Sequence, residues 1–269
     1  MPNAQSSLLP TEYREWAPPP VLAHAVTCVW TRGTQAPGST GPRTVLPDNS
    51  VDLLWRFDED GTLHDAAVIG PMSRPLTIPD DHDTQYVGVR FKPGYAAVVL
   101  QQEVGELRDA RVDLDTLLPG AQHWLEGPGG LDVRAVGDRL QRTLGRSVPD
   151  ALPPTAIQHA LEVVHQTRGA VPVESLAQTV GVTRQHLARL FETHIGLRPK
   201  LVARVLRLQH VMTLAARAAR VASARATGQA ARVSWSALAL EAGYTDQPHL
   251  IADFISLAGV TPSQWLAER

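Results

Sequence analysis

In the first part of the chain, apolar side chains recur at every second position in short runs: Val51, Leu53, Trp55 and Phe57 in one, Val87, Val89 and Phe91 in another. A period of two puts each set on one face of a β-strand. Similar runs, bounded by Pro, Gly and Asp, predict further strands at about 23–31, 43–47, 63–69, 75–79 and 112–116. Short strands at this spacing point to an antiparallel barrel or sandwich. The period then lengthens. Val133, Val136, Leu140 and Leu144 mark the apolar stripe of a helix over about 131–144, which serves either the core or a dimer seam. Beyond the Pro-rich segment 147–154 the pattern is helical throughout. Thr155 and Gln158 have the spacing of a capping box before Ile157, Ala160, Leu161 and Val164, and Thr261 and Gln264 have it again around Pro262.

Residues 173–199 and 235–262 repeat one another in order. Leu176–Ala177 matches Leu238–Ala239, Gly181 matches Gly243, and Val182 matches Tyr244. After one extra residue Leu187 matches Leu250, Phe191 matches Phe254, Gly196 matches Gly259 and Pro199 matches Pro262. In each copy the Ala lets a second helix cross closely, the Gly makes a tight turn, and the apolar positions pin the second helix down. The chain therefore carries two helix-turn-helix units, the second helix of the latter copy running from about Asp246 to Ile255. A helix over about 198–216, with Leu201, Val205, Leu208 and Met212 facing inward, joins them.

At 269 residues and 43% apolar composition, the chain has enough length for two cores. Its net charge of −2 conceals a division: residues 1–150 hold 13 basic and 20 acidic groups, residues 151–269 hold 12 and 7. A helical part of net +5 beside a β-rich part of net −7 suggests a polyanion-binding module attached to something else. One cysteine, Cys28, excludes an internal disulfide framework, and the first residues lack the pattern of an export signal, so a cytoplasmic location is expected. Apolar runs such as 96–100 are far shorter than the roughly 20 residues that span a bilayer, and no membrane association is expected.

Residues 157–267 resemble the double helix-turn-helix DNA-binding domain of AraC-type transcriptional regulators. Leu176, Ala177, Gly181, Leu187, Arg189, Phe191, Gly196 and Pro199 carry the resemblance in the first unit; Ala239, Gly243, Tyr244, Asp246, His249, Leu250, Phe254, Gly259, Thr261 and Pro262 carry it in the second. The resemblance implies a two-domain α+β protein. A cupin-like antiparallel barrel with flanking helices, for sensing or dimerisation, would occupy residues 1–146. A Pro-rich linker would follow over 147–154, and an all-α DNA-binding domain over 155–269, with motifs at about 173–194 and 235–256. Segments 45–55, 70–75 and 89–94 resemble a less characterised sensor subset of the same family. The implied partners are double-stranded DNA, a second copy of the chain as a homodimer, a small-molecule effector and, for an activator, RNA polymerase.

On the first recognition helix Arg184, Gln185, Ala188 and Arg189 fall between apolar positions and are expected to face DNA; Arg can fork to guanine and Gln can pair with adenine. On the second, Gln247, His249 and Ile251 are the candidates, Ile251 for a thymine methyl and His249 more for backbone or packing contact. This helix departs from the family: Ala252 and Ile255 stand where basic residues are frequent, and Asp253 adds a negative charge between them. Asp246 is expected to be its cap or a first-turn acid. The Ala/Arg-rich stretch 215–232, with Arg217, Arg220, Arg225, Gly228 and Arg232, is longer than the family's usual connection and either extends the linking helix, contacts phosphates or is a solvated insertion.

For an effector, Asp52, Trp55, Arg74 and Arg90 are the candidate ligands, each with an alternative in the structure itself: Trp55 as core, Asp52 and Arg90 as an ion pair. No His-x-His pair occurs among His24, His64, His82 and His123, and no nucleophile motif, phosphate loop or dinucleotide fingerprint is present, so neither an enzyme nor a metal or cofactor is expected. The competing reading is a regulatory module that binds a protein partner and has lost sequence-specific DNA reading.

Overall fold

The computed structural model describes residues 12–34, 43–78, 83–127, 131–148, 152–225 and 233–267. Among the described residues the N-terminal part is built on eight strands: β1 (Arg14–Trp16), β2 (Val26–Arg32), β3 (Arg43–Val45), β4 (Asp52–Phe57), β5 (Leu63–Ile69), β6 (Leu76–Ile78), β7 (Gln85–Phe91) and β8 (Arg111–Asp113). Six form an antiparallel sheet in the order β1-β2-β7-β4-β5-β8, and β3 and β6 pair separately. Among the described residues the two sheets do not close into a barrel, so the architecture is an open sheet with a smaller one.

Alternation divides the larger sheet into two unlike faces. Val29, Leu53, Trp55, Phe57, Val87, Val89 and Phe91 are buried on one side, against helix α1 (Tyr95–Leu100), the 3-10 turn 104–107, α2 (Leu114–Leu117) and α3 (Val133–Ser147). The expected 112–116 strand is instead β8 followed directly by α2, because the Asp113 carboxylate accepts the Asp115 amide and starts a helix. Asp132 caps α3 in the same way. Val136, Leu140 and Leu144 are fully buried in this core, so the α3 stripe is consumed within the chain and leaves no dimer seam.

The opposite face carries Trp30, Asp52, Leu54, Tyr86 and Arg90, and the β3–β6 pair lies over it. Trp30 pairs across from Gly88, and a β-carbon on Gly88 would meet the indole at 2.0 Å. The glycine thus leaves room for the ring, whose Nε1 donates to the Asp52 carboxylate at 2.9 Å.

Among the described residues seven helices follow: α4 (Thr155–Gln166), α5 (Val173–Thr179), α6 (Arg184–Ile195), α7 (Pro199–Arg225), α8 (Trp235–Glu241), α9 (Gln247–Ala258) and α10 (Pro262–Ala267). Thr155 is the first helical residue rather than the cap, so the first expected capping box does not form; the Gln158 amide donates instead to Pro153 O at 2.6 Å. The second does form, Thr261 N donating to Gln264 Oε1 and Gln264 N to Thr261 Oγ1. Helix α7 is longer than the spacing predicts and reaches into the Ala-rich stretch as far as Arg225; residues 226–232, with Gly228 and Arg232, lie outside the described residues, as do 149–151 of the linker and Pro79 at the end of the expected 75–79 strand.

Helix α7 serves two cores. Val202 and Ala203 join Leu176, Ala177, Leu187 and Phe191 around the first motif, whereas Val205, Leu208, Val211 and Met212 join Leu238, Ala239, Leu250 and Phe254 around the second. The duplication extends to the backbone: Gly181 and Gly243 hold φ of +72° and +78°, the left-handed conformation that turns each first helix into its second.

The N-terminal part grips this assembly at two places. Arg108 donates through Nε to Gly196 O at 2.7 Å, at the C-terminal end of α6, and pairs with Glu192. Asn49 Nδ2 donates to Val202 O, and Gln209 Nε2 to Pro47 O, each at 3.3 Å.

Gly88→Val is expected to displace Trp30 and destabilise the sheet by roughly 1–3 kcal/mol, the usual cost of overpacking. Denaturant unfolding measures the loss, and unchanged stability would contradict this account of the Trp30 seat.

Candidate nucleic-acid interface

Thr183 caps α6 by accepting the His186 amide. Leu187 and Phe191 are buried beneath the helix, leaving Arg184, Gln185 and Arg189 exposed and Ala188 half-buried on its outer side. Arg184 is tethered to Glu174 of α5 at 3.1 Å; both are well exposed, which makes the pair weak and readily exchanged. Asp246 caps α9 as its sequence position predicts, accepting the His249 amide at 2.8 Å. Gln247 and His249 are exposed and Ile251 half-buried. The His249 ring stands edge-on to Tyr244, centroids 5.2 Å apart.

Asp253 is not part of the outer ridge. It is buried and accepts from Arg204 Nε of α7 at 2.8 Å, while Arg204 also donates to the Ser256 hydroxyl. Its charge ties α9 to α7. Ala252 and Ile255 do face outward, so the second ridge is the less polar of the two.

Arg207, one turn further along α7, links the turn that leads into the first motif to the second motif. It donates through Nη2 to Gly169 O, in the turn between α4 and α5, at 2.8 Å, and its guanidinium lies over the Tyr244 ring at 5.1 Å. Gly169 permits this approach, since a β-carbon there would meet Ala203 O at 2.0 Å. Burial, followed by the nearby Asp253 carboxylate, pushes the Tyr244 hydroxyl well above the ordinary tyrosine range, so it stays protonated.

A cleft of about 840 Å³ runs beside the first ridge, lined by Arg184, Gln185, Ala188, Arg198, Lys200 and Val173 among others. A second, of about 430 Å³, lies between the motifs and is lined by Val173, Lys200, Arg204, Arg207 and His249 with the 170–172 turn. Val173 and Lys200 border both. Arg184, Gln185 and Ala188 of the first motif and His249 of the second therefore open onto adjoining, predominantly basic clefts.

The N-terminal part holds a separate cavity of about 210 Å³ between the sheets. Its floor is Arg90, which spans to Asp52 directly across the β4–β7 pair, with both hydrogen bonds at 3.2 Å, to Asp48 at 3.2 Å and to Glu15 at 3.3 Å. Tyr13, Trp30 and Tyr86 give aromatic walls, and Leu54, Ile69 and Met72 belong to its apolar lining. One guanidinium shared among three carboxylates leaves burial as the larger influence on Asp52, whose carboxyl rises to about 6.

Residues 176–268 match the family model described as a helix-turn-helix domain, and residues 14–113 match a domain of unknown function (DUF6597). Residues 176–268 are thus a helix-turn-helix domain. Among solved structures, an AraC-type transcriptional regulator from Chromobacterium violaceum is 22% identical, with a TM-score of 0.33 over 42% of this chain and 90% of that one. ToxT from Vibrio cholerae is 11% identical, with a TM-score of 0.42 over 95% and 98% of the two chains, and its form bound to an unsaturated fatty acid is 12% identical, with a TM-score of 0.41 over 88% and 93%. No curated protein matches the chain.

The helix-turn-helix domain brings Arg184, Gln185, Ala188, Gln247, His249 and Ile251 to exposed or half-exposed positions on α6 and α9, with Arg189 beside them. Of the four candidate effector ligands, Asp52 and Arg90 line the cavity; Trp55 is fully buried on the other face, donating to Ala121 O at 3.1 Å, and Arg74 is exposed outside the cavity lining. Parity already separates Asp52 from Trp55, since residues an odd number apart on a strand face opposite sides. The aromatic trio and Asp48 were not anticipated; Trp30 falls at a polar-face position of β2, which is the available signal. Across the described residues no helix is long and apolar enough to cross a membrane.

A raised carboxyl pKa means that the folded chain holds the proton more tightly than the unfolded one. The stabilisation from protonated Asp52 is complete below the ordinary value of 3.8 and is lost as pH rises through about 6. Asp52→Asn should flatten the stability profile in that window, and a profile identical to wild type in pH-resolved thermal unfolding would refute the shift.

Proposed function

We propose that this chain is a sequence-specific DNA-binding transcription regulator, with Arg184, Gln185, Ala188 and Arg189 reading one major-groove segment and Gln247, His249 and Ile251 the next. The supporting observation is the shared basic face: Arg184, Gln185 and Ala188 of the first motif and His249 of the second border clefts that meet at Lys200 and Val173. Two helices presented from one side suit successive major-groove segments of a single duplex. The acidic N-terminal part acts as a cupin-like sensor, and regulation by a small-molecule effector and homodimer formation complete the reading.

Arg189 is the test residue because it is exposed and its neighbours Leu187 and Phe191 hold the helix independently of it. Arg189→Ala should lose roughly 1–3 kcal/mol of discrimination at one base pair. Binding to the duplex selected by the wild-type protein and to random duplex measures this; equal loss on both would overturn the assignment.

The effector reading rests on the cavity, which combines aromatic and aliphatic walls with a charged floor. Leu54→Trp, on its wall, should fill it. Thermal shift with compact aromatic acids and amines should give stabilisation in wild type, about 2.7 kcal/mol at 100 times Kd, that Leu54→Trp abolishes. Identical shifts in both would place the effector elsewhere.

A protein-partner role has one observation in its favour: Leu240 and Ile255 of the second motif are 66% and 53% exposed. A wild-type protein that selects no sequence from random duplex would favour it.

A further inference from the structure

The cleft between the two motifs is basic, and its lining contains no acidic side chain. Its cations differ in how they are occupied. Arg204 is matched by the buried Asp253 carboxylate. Arg207 makes no ion pair among the described residues and is fixed in place by Gly169 O and the Tyr244 ring. Lys200 is exposed, makes no ion pair among the described residues, and stands at the border shared by this cleft and the one beside the first ridge.

We infer that Lys200, backed by the fixed charge of Arg207, binds the DNA phosphate backbone where it crosses between the two recognition helices. The inference rests on the proposed DNA-binding reading and extends it to a site away from the bases. When two helices enter successive major-groove segments on one face, the intervening stretch presents its minor groove, and the phosphates flanking it, to whatever joins the motifs. That stretch carries about one negative charge per 1.7 Å of axis, so an acidic or purely apolar junction would oppose docking. Here the junction offers a flexible ammonium on a four-carbon stem, suited to a phosphate and indifferent to base identity.

Lys200 should therefore set affinity and register without setting sequence preference. The test compares wild type, Lys200→Gln and Lys200→Arg on the duplex that wild type selects from a randomised pool, and on a random duplex. Lys200→Gln should reduce the slope of log affinity against log salt by about 0.9 on both, with discrimination between them intact, and Lys200→Arg should restore the slope. Neutral methylphosphonate linkages in the spacer between the two contacted segments should weaken wild type and leave Lys200→Gln little changed.

An unaltered slope for Lys200→Gln, or an equal methylphosphonate penalty in wild type and variant, overturns the proposal while the wild-type selection leaves the DNA reading standing. Failure of wild type to select any sequence overturns both. Because Lys200 is exposed and outside both cores, its variants should unfold with the wild-type midpoint, and a shifted midpoint would count against this purely electrostatic role.

Discussion

The guanidinium of Arg207 sits beside both helix-turn-helix units, donating to a carbonyl of the turn that leads into the first and covering an aromatic ring of the second. The rest of the C-terminal architecture depends on that junction. Each motif has its own apolar core, and two cores that share only one helix could pivot about it. Arg207 closes the far side of the pivot, and the Arg204–Asp253 pair one turn earlier secures α9 to α7. A duplex presents its major-groove segments at a fixed spacing, so a pair of reading helices is useful only when their separation is fixed as well. Burying a tyrosine and an aspartate beside these two arginines obtains rigidity from groups that would be costly to bury alone.

The N-terminal part takes hold of the same assembly without covering the outer ridges. Arg108 engages the C-terminal end of α6, away from Arg184 and Gln185 at its start, so α6 is held at one end and open at the other. The loop before β4 has a double attachment. Asp48 pairs with Arg90 in the cavity floor, while its neighbours Pro47 and Asn49 hydrogen-bond to α7. One short segment thus touches both the cavity and the helix that carries the two motifs.

The motifs are equal in backbone and unequal in surface. Their turn glycines agree in φ to within a few degrees, and each second helix is capped by the side chain that precedes it. Yet α6 presents two arginines and a glutamine, whereas α9 presents Gln247, a histidine leaning on Tyr244, and Ala252 and Ile255. The shared geometry follows from what a tight helical turn requires, and the difference lies in positions that the turn leaves unconstrained.

What the residues determined by themselves was local and periodic. The duplication, the turns at Gly181 and Gly243, the caps at Asp246 and Thr261 and the inward faces of β4 and β7 all follow from spacing, because a backbone turn or a pleat acts on residues close together in the chain. The same reasoning misplaced what depends on distant partners. Asp253 reads as an outward charge until Arg204, 49 positions away, is brought beside it. Thr155 has the spacing of a cap, but Pro154 precedes it and takes that role. The sheet that alternation predicts does not reveal whether it closes, and the cavity on its second face exists only because β3 and β6 are carried over Trp30 and Asp52. Only tertiary structure decided these, since desolvation and charge pairing depend on which groups meet in space, and chain order does not encode that distance.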